Sequence, residues 1–492
     1  MVGLIDISTQ TAAIAGVTIL SLAYAFYQYF VQPLYYFQKL NIPGPKPSLF
    51  VGTAFNKETG GHLGQIHCIK KYGKVYGGLL GVRPIMVIAD PEMLKEVLVK
   101  QFSNFPNRYA VIPPAPEFSR NLLAIKDDDW KRIRNVLIPT FSATKLKQIE
   151  PIIIDACDTL VGKIIKENRE NGKVNIWKLC GEYSMEVIMA AAFGVHVTDD
   201  ARGQKVCKAA AIFFSSSDIA LLIASVVPSL YHFLSFLTRD RTNAVNHIVQ
   251  VARAVIAERR RNLQNGLTNR RDLLQLMIEA AENGKLTDDE IVSQSFIFLL
   301  AGYETTSNAL GYTSYLLALN PQAQQRLIDE IDEKCPKGTN PTIELLSELP
   351  YLDMVFNESL RIYPPAYIVN RVTKHETVID EVKIPQDMMV AIPIYGIHHN
   401  DELWPDPEKF IPERFTPEEK AKRHPFAYLP FGNGPRNCIG MRLAITEAKL
   451  ALIKILQNVV LEPVKETPIP LEVEPKFTLS VANGVIIGVK ER

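Results

Sequence analysis

Cysteine is scarce in this chain and scattered. The six cysteines among 492 residues stand at positions 68, 157, 180, 207, 335 and 438, without a CxxC pair or paired Cys/His spacing. That excludes a disulfide scaffold and a zinc ribbon and fits a reducing compartment. Surplus charge is missing too. Lys and Arg number 54 against 53 Asp and Glu, so there is neither the basic excess of a nucleic-acid binder nor an acidic tail. The chain has no internal repeat, no low-complexity tract and no compositional break after residue 40 that would separate globular domains. With 47% hydrophobic and 22% charged residues it is globular rather than disordered.

What is present begins with an uncharged run from Ile7 to Gln38. Thr11–Val31 supplies 21 mostly apolar residues, about the ~20 that a helix needs to cross a bilayer. Asp6 lies before it, and Lys39 and Lys46 after it, so the positive-inside rule places the remainder in the cytosol. Ala23-Tyr24-Ala25 resembles a signal-cleavage site, but a basic leading segment is missing and the apolar run continues past it. The run therefore reads as an anchor. Tyr24, Phe26, Tyr27, Tyr29, Phe30, Tyr35, Tyr36 and Phe37 crowd one end of it, as aromatic side chains do at headgroup level. Pro43-Gly44-Pro45-Lys46-Pro47 follows as a stiff extended link. The expected division is an anchor over residues 1–38 and a catalytic body over 39–492.

In the body, Val75–Leu80 and Ile85–Ala89 read as paired strands about a turn at Gly81–Pro84, and Pro91–Val99 as a helix. From Asp127 to about Leu319 the pattern is mostly helical. Thr287-Asp288-Asp289-Glu290 is a capping-box signature. The helix it opens runs to Leu319, before Asn320-Pro321: roughly thirty residues, or about 45 Å, enough to cross the core. The C-terminal third alternates Pro-rich loops, short strands and one clear helix, Ile439–Val459. The expected fold class is mostly α with small β-sheets (α+β). Ala211–Leu237, charged only at Asp218, reads either as a helix–loop–helix lid on a bilayer surface or as two core helices.

The most informative string is Phe431-Gly432-Asn433-Gly434-Pro435-Arg436-Asn437-Cys438-Ile439-Gly440. Three glycines and a proline make a tight loop whose N–H groups can point at one sulfur. A helix starting near Ile439 sets its positive dipole end beside Cys438 and favours the thiolate. With no histidine close in sequence, Cys438 reads as an iron ligand; the other cysteines read as buried structural thiols.

This string resembles the FxxGxRxCxG loop of the cytochrome P-450 haem-thiolate monooxygenases, with all five fixed positions met. Ala301-Gly302-Tyr303-Glu304-Thr305-Thr306 resembles the family's oxygen-activating stretch. Glu358-Ser359-Leu360-Arg361 is similar to its ExxR helix, and Phe410-Ile411-Pro412-Glu413-Arg414-Phe415 to its PERF region. The resemblance covers essentially the whole chain. It looks most like the microsomal animal clan that includes the 3A-type drug- and steroid-metabolising forms and thromboxane synthase.

The resemblance implies a P-450 fold carrying one haem b, with Cys438 as the iron ligand and Phe431 in the cofactor loop. Glu304 and Thr305 are expected to deliver protons, Thr305 by bonding its own i−4 carbonyl and opening the helix. Gly302 costs about 1 kcal/mol against Ala inside a helix, and the close approach of a planar cofactor is the expected reason. Arg436, the Trp130/Arg134 pair of a WxxxR helix, and Arg371 are expected to neutralise the two haem propionates; for Arg371 a strand surface charge is the alternative. Glu358, Arg361 and Arg414 are expected to form a buried structural triad. Asn357-Glu358-Ser359 also fits a glycosylation sequon, expected to stay unmodified in a buried cytosolic helix. Ala301, Thr305, Ala366 and Ile368 are expected to line an apolar pocket for a lipophilic substrate. Lys131 and Arg132 offer part of a basic docking face for an acidic redox partner.

The implied activity is insertion of one atom of O2 into a xenobiotic, steroid or fatty acid, with water as the other product. Electrons are expected from NADPH through the diflavin NADPH–cytochrome P-450 reductase, with cytochrome b5 as an optional partner. The expected location is the endoplasmic reticulum membrane, the catalytic domain facing the cytosol. Two rivals are a haem-thiolate isomerase or dehydratase that rearranges a peroxide, and a non-enzymatic, membrane-tethered gas-binding haem protein. The Glu304-Thr305 pair argues against both.

Overall fold

The computed structural model describes residues 2–54, 56, 58–110, 119–194, 201–214, 226, 239–267 and 272–492. The helices that position the site are α1 (Val2–Phe26), α2 (Gly61–Tyr72), α3 (Asp127–Leu137), α4 (Ala143–Asn171), α5 (Ile176–Ile188), α6 (Ala201–Phe214), α7 (Arg239–Gln264), α8 (Leu273–Glu282), α9 (Asp288–Leu319), α10 (Pro321–Lys334), α11 (Pro350–Ile362) and α12 (Met441–Asn458). The strands are β1 (Val75–Leu80), β2 (Arg83–Ile88), β3 (Val174–Asn175), β4 (Val369–Val372), β5 (Thr377–Ile379), β6 (Val382–Ile384), β7 (Met389–Ile392), β8 (Val459–Glu462), β9 (Val473–Pro475), β10 (Leu479–Val481) and β11 (Ile486–Glu491). Helix dominates and the sheets are small, as expected.

The largest sheet has the order β1-β2-β7-β4, with β2 and β7 parallel and the other pairs antiparallel. β2 starts at Arg83, inside the expected turn. Pro84 is tolerated there because the ladder to β7 begins only at Ile85, so its missing N–H breaks no central pairing. β3, β11 and β8 form a second sheet, β9 with β10 a third, and β5 with β6 a fourth.

α9 is the 32-residue axis of the molecule. Its capping box is complete: the Glu290 N–H donates to the Thr287 hydroxyl at 3.2 Å, and the Thr287 N–H to the Glu290 carboxylate at 2.8 Å. Pro321 opens α10 and sets the stop. Many polar side chains on α9 are buried, some of them with partners on neighbouring elements. Thr313 donates to Ser359 at 2.9 Å and to its own i−4 carbonyl, that of Ala309, at 2.7 Å. α4, α5, α9 and α12 pack on one another around one large apolar core, and a second core lies between the β1-β2-β7-β4 sheet, α2 and Leu429. α12 begins two residues later than expected, because Ile439 and Gly440 complete the cysteine loop before the first helical turn.

α1 continues through a π-turn at Tyr27–Val31. It presents Ile14, Val17, Ile19, Leu20 and Leu22 to the outside. Among the described residues the Thr11–Lys39 stretch alone is long and apolar enough to cross a membrane. Beyond it, Phe26, Phe30 and Phe50 cluster with ring centroids 4.9 to 6.2 Å apart, and the Tyr29 hydroxyl donates to the Val226 carbonyl at 2.7 Å. The lid expected at 211–237 otherwise lies, past the end of α6, outside the described residues.

Candidate active site

The cysteine loop is held by its own backbone. The Cys438 N–H donates to the Phe431 carbonyl at 2.9 Å, and the Asn437 N–H to that of Gly434 at 3.0 Å. Gly434 has φ +74°, and a Cβ there would lie 2.0 Å from the Leu98 carbonyl oxygen, so only glycine fits. Phe431 is half-buried against the large core. Cys438 is solvent-accessible, whereas Cys68, Cys157, Cys180 and Cys335 are buried. Burial pushes the thiols of Cys68 and Cys157 up to about 11 and about 12, which makes them inert.

The helix end favours the Cys438 thiolate, as expected, but it does not act unopposed. Desolvation raises its thiol, outweighing the Gly440 N–H and the Arg108 and Arg134 cations that favour the thiolate. A coordinated metal cation is what deprotonates such a thiol outright.

Four arginines surround this loop. Arg134 on α3 donates to the Asn437 carbonyl at 3.1 Å and to its side-chain oxygen at 2.7 Å. Arg436 donates to the Ile125 carbonyl at 2.8 Å, and its guanidinium carbon lies 4.5 Å from the ring centroid of buried Trp130. Arg371 is 1% exposed on β4, so it is no surface charge; it donates to the Asn370 carbonyl at 2.8 Å. Arg108, which carries no sequence motif, donates to the Arg436 carbonyl at 3.1 Å. The fold brings it there because the Val372 N–H donates to the Asn107 carbonyl, laying its segment against β4 beside Arg371.

Nε of Arg108 and Arg371, and Nε and Nη1 of Arg436, are buried and have no hydrogen-bond partner among the described residues. Burial and mutual repulsion lower the Arg371 pKa well below its ordinary value and that of Arg436 to about 9. Guanidinium groups in this state call for anions, and forked donors match carboxylates. The donor set therefore fits a haem b, whose two carboxylates would meet the arginines while its iron meets Cys438.

On α9, Ala301 is exposed and Gly302, Tyr303 and Thr305 are partly so, on a helix otherwise buried through its middle. The Thr305 hydroxyl donates to the Ala301 carbonyl at 2.6 Å, the expected back-bond. Gly302 also lies where α5 packs. A Cβ there would lie 3.3 Å from Ile188 Cγ1 on α5, and Ser184 of α5 donates to the Gly302 carbonyl at 2.8 Å. Its missing side chain serves helix-to-helix approach.

Glu304 is 2% exposed. Adjacent helix positions diverge by about 100°, and its carboxylate is turned to β10, where the Ser480 hydroxyl donates to Oε1. Desolvation raises its pKa to about 7, against the opposing influence of the Ser480 and Thr478 hydroxyls. Thr306 points a third way and donates to buried Glu447 on α12 at 2.7 Å; burial pushes Glu447 up to about 8. Neither Ser480 nor Glu447 stands in a recognisable motif.

Ala366 is half-buried and Ile368 is exposed, on the segment leading into β4. The Leu479 N–H donates to the Pro365 carbonyl at 2.9 Å, so this segment lies against β10. The Glu358, Arg361 and Arg414 triad forms as expected. Arg361 holds both Glu358 oxygens at 2.7 and 2.8 Å, and Arg414 Nε lies 3.2 Å from the same carboxylate. In the sequon, the Asn357 side chain donates to the Asp353 carbonyl and accepts from the Tyr428 hydroxyl. The basic docking face on α3 is weaker than expected. Arg132 is closed by Asp129 at 2.8 Å and Glu290 at 2.6 Å, and the helix opens with three aspartates, which leaves Lys131 exposed there.

Comparison with known proteins places this geometry. The cytochrome P450 family model matches residues 42–486. Cytochrome P450 3A2 of Rattus norvegicus is 40% identical over 471 residues, covering 93% of this chain and 92% of that protein. Cytochrome P450 3A11 of Mus musculus is 39% identical over 481 residues, covering 95% and 94%. Cytochrome P450 3A12 of Canis lupus familiaris is 38% identical over 473 residues, covering 93% and 92%.

Proposed function

The chain belongs to the cytochrome P450 family of haem b monooxygenases, and from that premise we propose that it is a membrane-anchored enzyme that hydroxylates a lipophilic substrate. Residues 1–38 hold it in the endoplasmic reticulum membrane, and residues 39–492 form the catalytic domain on the cytosolic side. Electrons come from NADPH through the diflavin reductase, with cytochrome b5 as an optional second donor. The substrate is a xenobiotic, steroid or fatty acid. The observation that carries this reading is the meeting of an accessible thiol with four arginines, three of which keep buried N–H groups that have no partner among the described residues.

The chain's residues divide the work. Cys438 ligates the iron, and Phe431 belongs to the loop that presents it. Arg108, Trp130, Arg134, Arg371 and Arg436 hold the two haem carboxylates. When bound, the haem would supply oxygen activation, with Cys438 as its thiolate donor. Ala301, Ala366 and Ile368 bound an apolar space for the substrate. Thr305 holds the Ala301 carbonyl, so its hydroxyl can be exchanged for a water at that turn. Glu304, with a pKa near neutrality, can take up and release a proton near working pH. Glu358, Arg361 and Arg414 fix α11 against the PERF turn and are structural.

The test is the carbon monoxide difference spectrum of the reduced, membrane-bound protein, followed by NADPH consumption with reductase. A strongly red-shifted Soret band, lost in Cys438→Ala, is expected. A histidine-type spectrum, or one that survives the substitution, removes Cys438 as ligand.

A further inference from the structure

Glu304 ends a chain of hydrogen bonds whose direction is fixed at its far end. The Trp177 indole N–H on α5 can only donate, and it meets the Asn308 side-chain oxygen at 2.6 Å. That fixes the Asn308 amide: its NH2 group faces β10, donating to Thr478 Oγ1 at 3.2 Å and to the Leu479 carbonyl at 3.0 Å. Thr478 Oγ1, already an acceptor there, has its own proton free for Ser480 Oγ, 3.1 Å away. The Ser480 hydroxyl then gives its proton to Glu304 Oε1. Every donor along the line points towards the carboxylate. Oε1 is committed as an acceptor, whereas Oε2 is buried and has no partner among the described residues. Three of the four side chains are held by burial: Asn308, Thr478 and Ser480 are 0%, 4% and 5% exposed, while Trp177 is half-buried.

We propose that Trp177, Asn308, Thr478 and Ser480 form a directional positioning chain that holds Glu304 and confines its proton to Oε2. This inference rests on Glu304 being the proton-delivering acid. It adds three things. The chain is not itself a proton path, because the Asn308 amide cannot resupply Thr478. The proton therefore enters and leaves Glu304 at Oε2. And β10, which also lies against the Ala366 segment, ties the placement of this acid to the substrate side of the site. None of the four is a catalytic residue; each acts through the next.

The groups that face Glu304 set the sign of the test. Ser480 and Thr478 on β10 and Lys476 in the turn before it favour the carboxylate, burial opposes it, and Tyr312 of α9, whose hydroxyl donates to the Leu479 carbonyl, lies close enough to feel its charge. From α5 comes the neutral Trp177. Removing the Ser480 donor removes support for the ionised form, so Glu304 must then hold its proton to higher pH. A hydrogen bond to a charged group is large enough to move a titration by about one unit.

The experiment is an infrared pH titration of the full-length, haem-loaded protein without turnover, reading the protonated-carboxyl stretch that disappears in Glu304→Gln. Coupling of NADPH use to product over the same pH range is the second readout. In Ser480→Ala the band's midpoint and the coupling limb should both rise by about one unit. Ser480→Thr should restore them, and Trp177→Phe should shift them less, in the same direction. Glu447 titrates nearby in pH, so Ser480→Ala is repeated in the Glu304→Gln background, where it should move nothing. If Glu304→Gln removes the limb but Ser480→Ala leaves band and limb in place, the positioning chain is wrong and the role of Glu304 stands. If Glu304→Gln leaves coupling and its limb untouched, that role fails, and the inference resting on it fails too.

Discussion

Arg371 shows how much a single buried residue can say about a partner. A guanidinium withdrawn from water costs several kcal/mol unless an anion closes it. Among the described residues Arg371 has one carbonyl contact, no partner for Nε, and the cations of Arg108 and Arg436 for neighbours. Arg132 is its opposite: a similar group, closed by Asp129 and Glu290. Arg371→Gln should therefore loosen the haem, while Arg132→Gln should not. One lost charge-assisted contact predicts roughly tenfold faster haem release to a haem-scavenging globin, or somewhat more. Equal release rates for the two variants would show that the arginines are structural. At this scale the sequence is legible where the chemistry is local. Cys438, Arg436 and the Trp130/Arg134 pair sit in short motifs whose spacing carries their meaning. Arg108 is not legible, because it reaches the site only when the Asn107 carbonyl bonds to the edge of β4.

An element's ends are written into the chain more plainly than its faces. α9 starts where Thr287 and Glu290 cap each other and ends ahead of Pro321, and both signals are local. Which way each of its residues points depends on partners far away in sequence. Gly302 faces Ile188 because α5 packs there, and Glu304 faces Ser480 because a three-residue strand near the C-terminus returns to α9. Such a strand has no periodicity to read. The contact at Gly302 gives a direct test of what the glycine is for. Gly302→Val places a branched side chain against Ile188 and should destabilise the fold by about 1–3 kcal/mol. Ile188→Ala in the same chain should recover part of that loss. A glycine kept for a planar cofactor would behave differently: the second substitution would rescue nothing, and the haem spectrum would shift while unfolding stayed the same. Thermal melts and absorption spectra of the two variants distinguish these outcomes.

For the whole molecule, the buried titratable groups predict how stability depends on pH. Burial holds three histidines neutral: His62 falls to about 4, His399 to about 3, and His398 well below its ordinary value of 6.5. Each is charged in the unfolded chain below about pH 6.5, so the stability they support is present above that value and is lost as pH falls towards their folded values. Glu304 and Glu447 act in the other direction. Raised from 4.5 to about 7 and about 8, they contribute fully below pH 4.5 and lose that contribution as pH rises through their folded values. Between pH 4.5 and 6.5 three histidines pull stability upward with pH against two carboxyls pulling it down. Above 6.5 the carboxyls act alone. The unfolding midpoint of the haem-loaded protein should therefore peak near pH 6.5 and fall between about 7 and 8. Glu447→Gln keeps the hydrogen-bond acceptor for Thr306 but has no proton to lose. It should flatten the alkaline fall while leaving the acid side as it was. A midpoint that declines in parallel in wild type and Glu447→Gln would mean that this carboxyl is already ionised in the fold, and that the apolar contact of α4, α5, α9 and α12 does not raise its pKa.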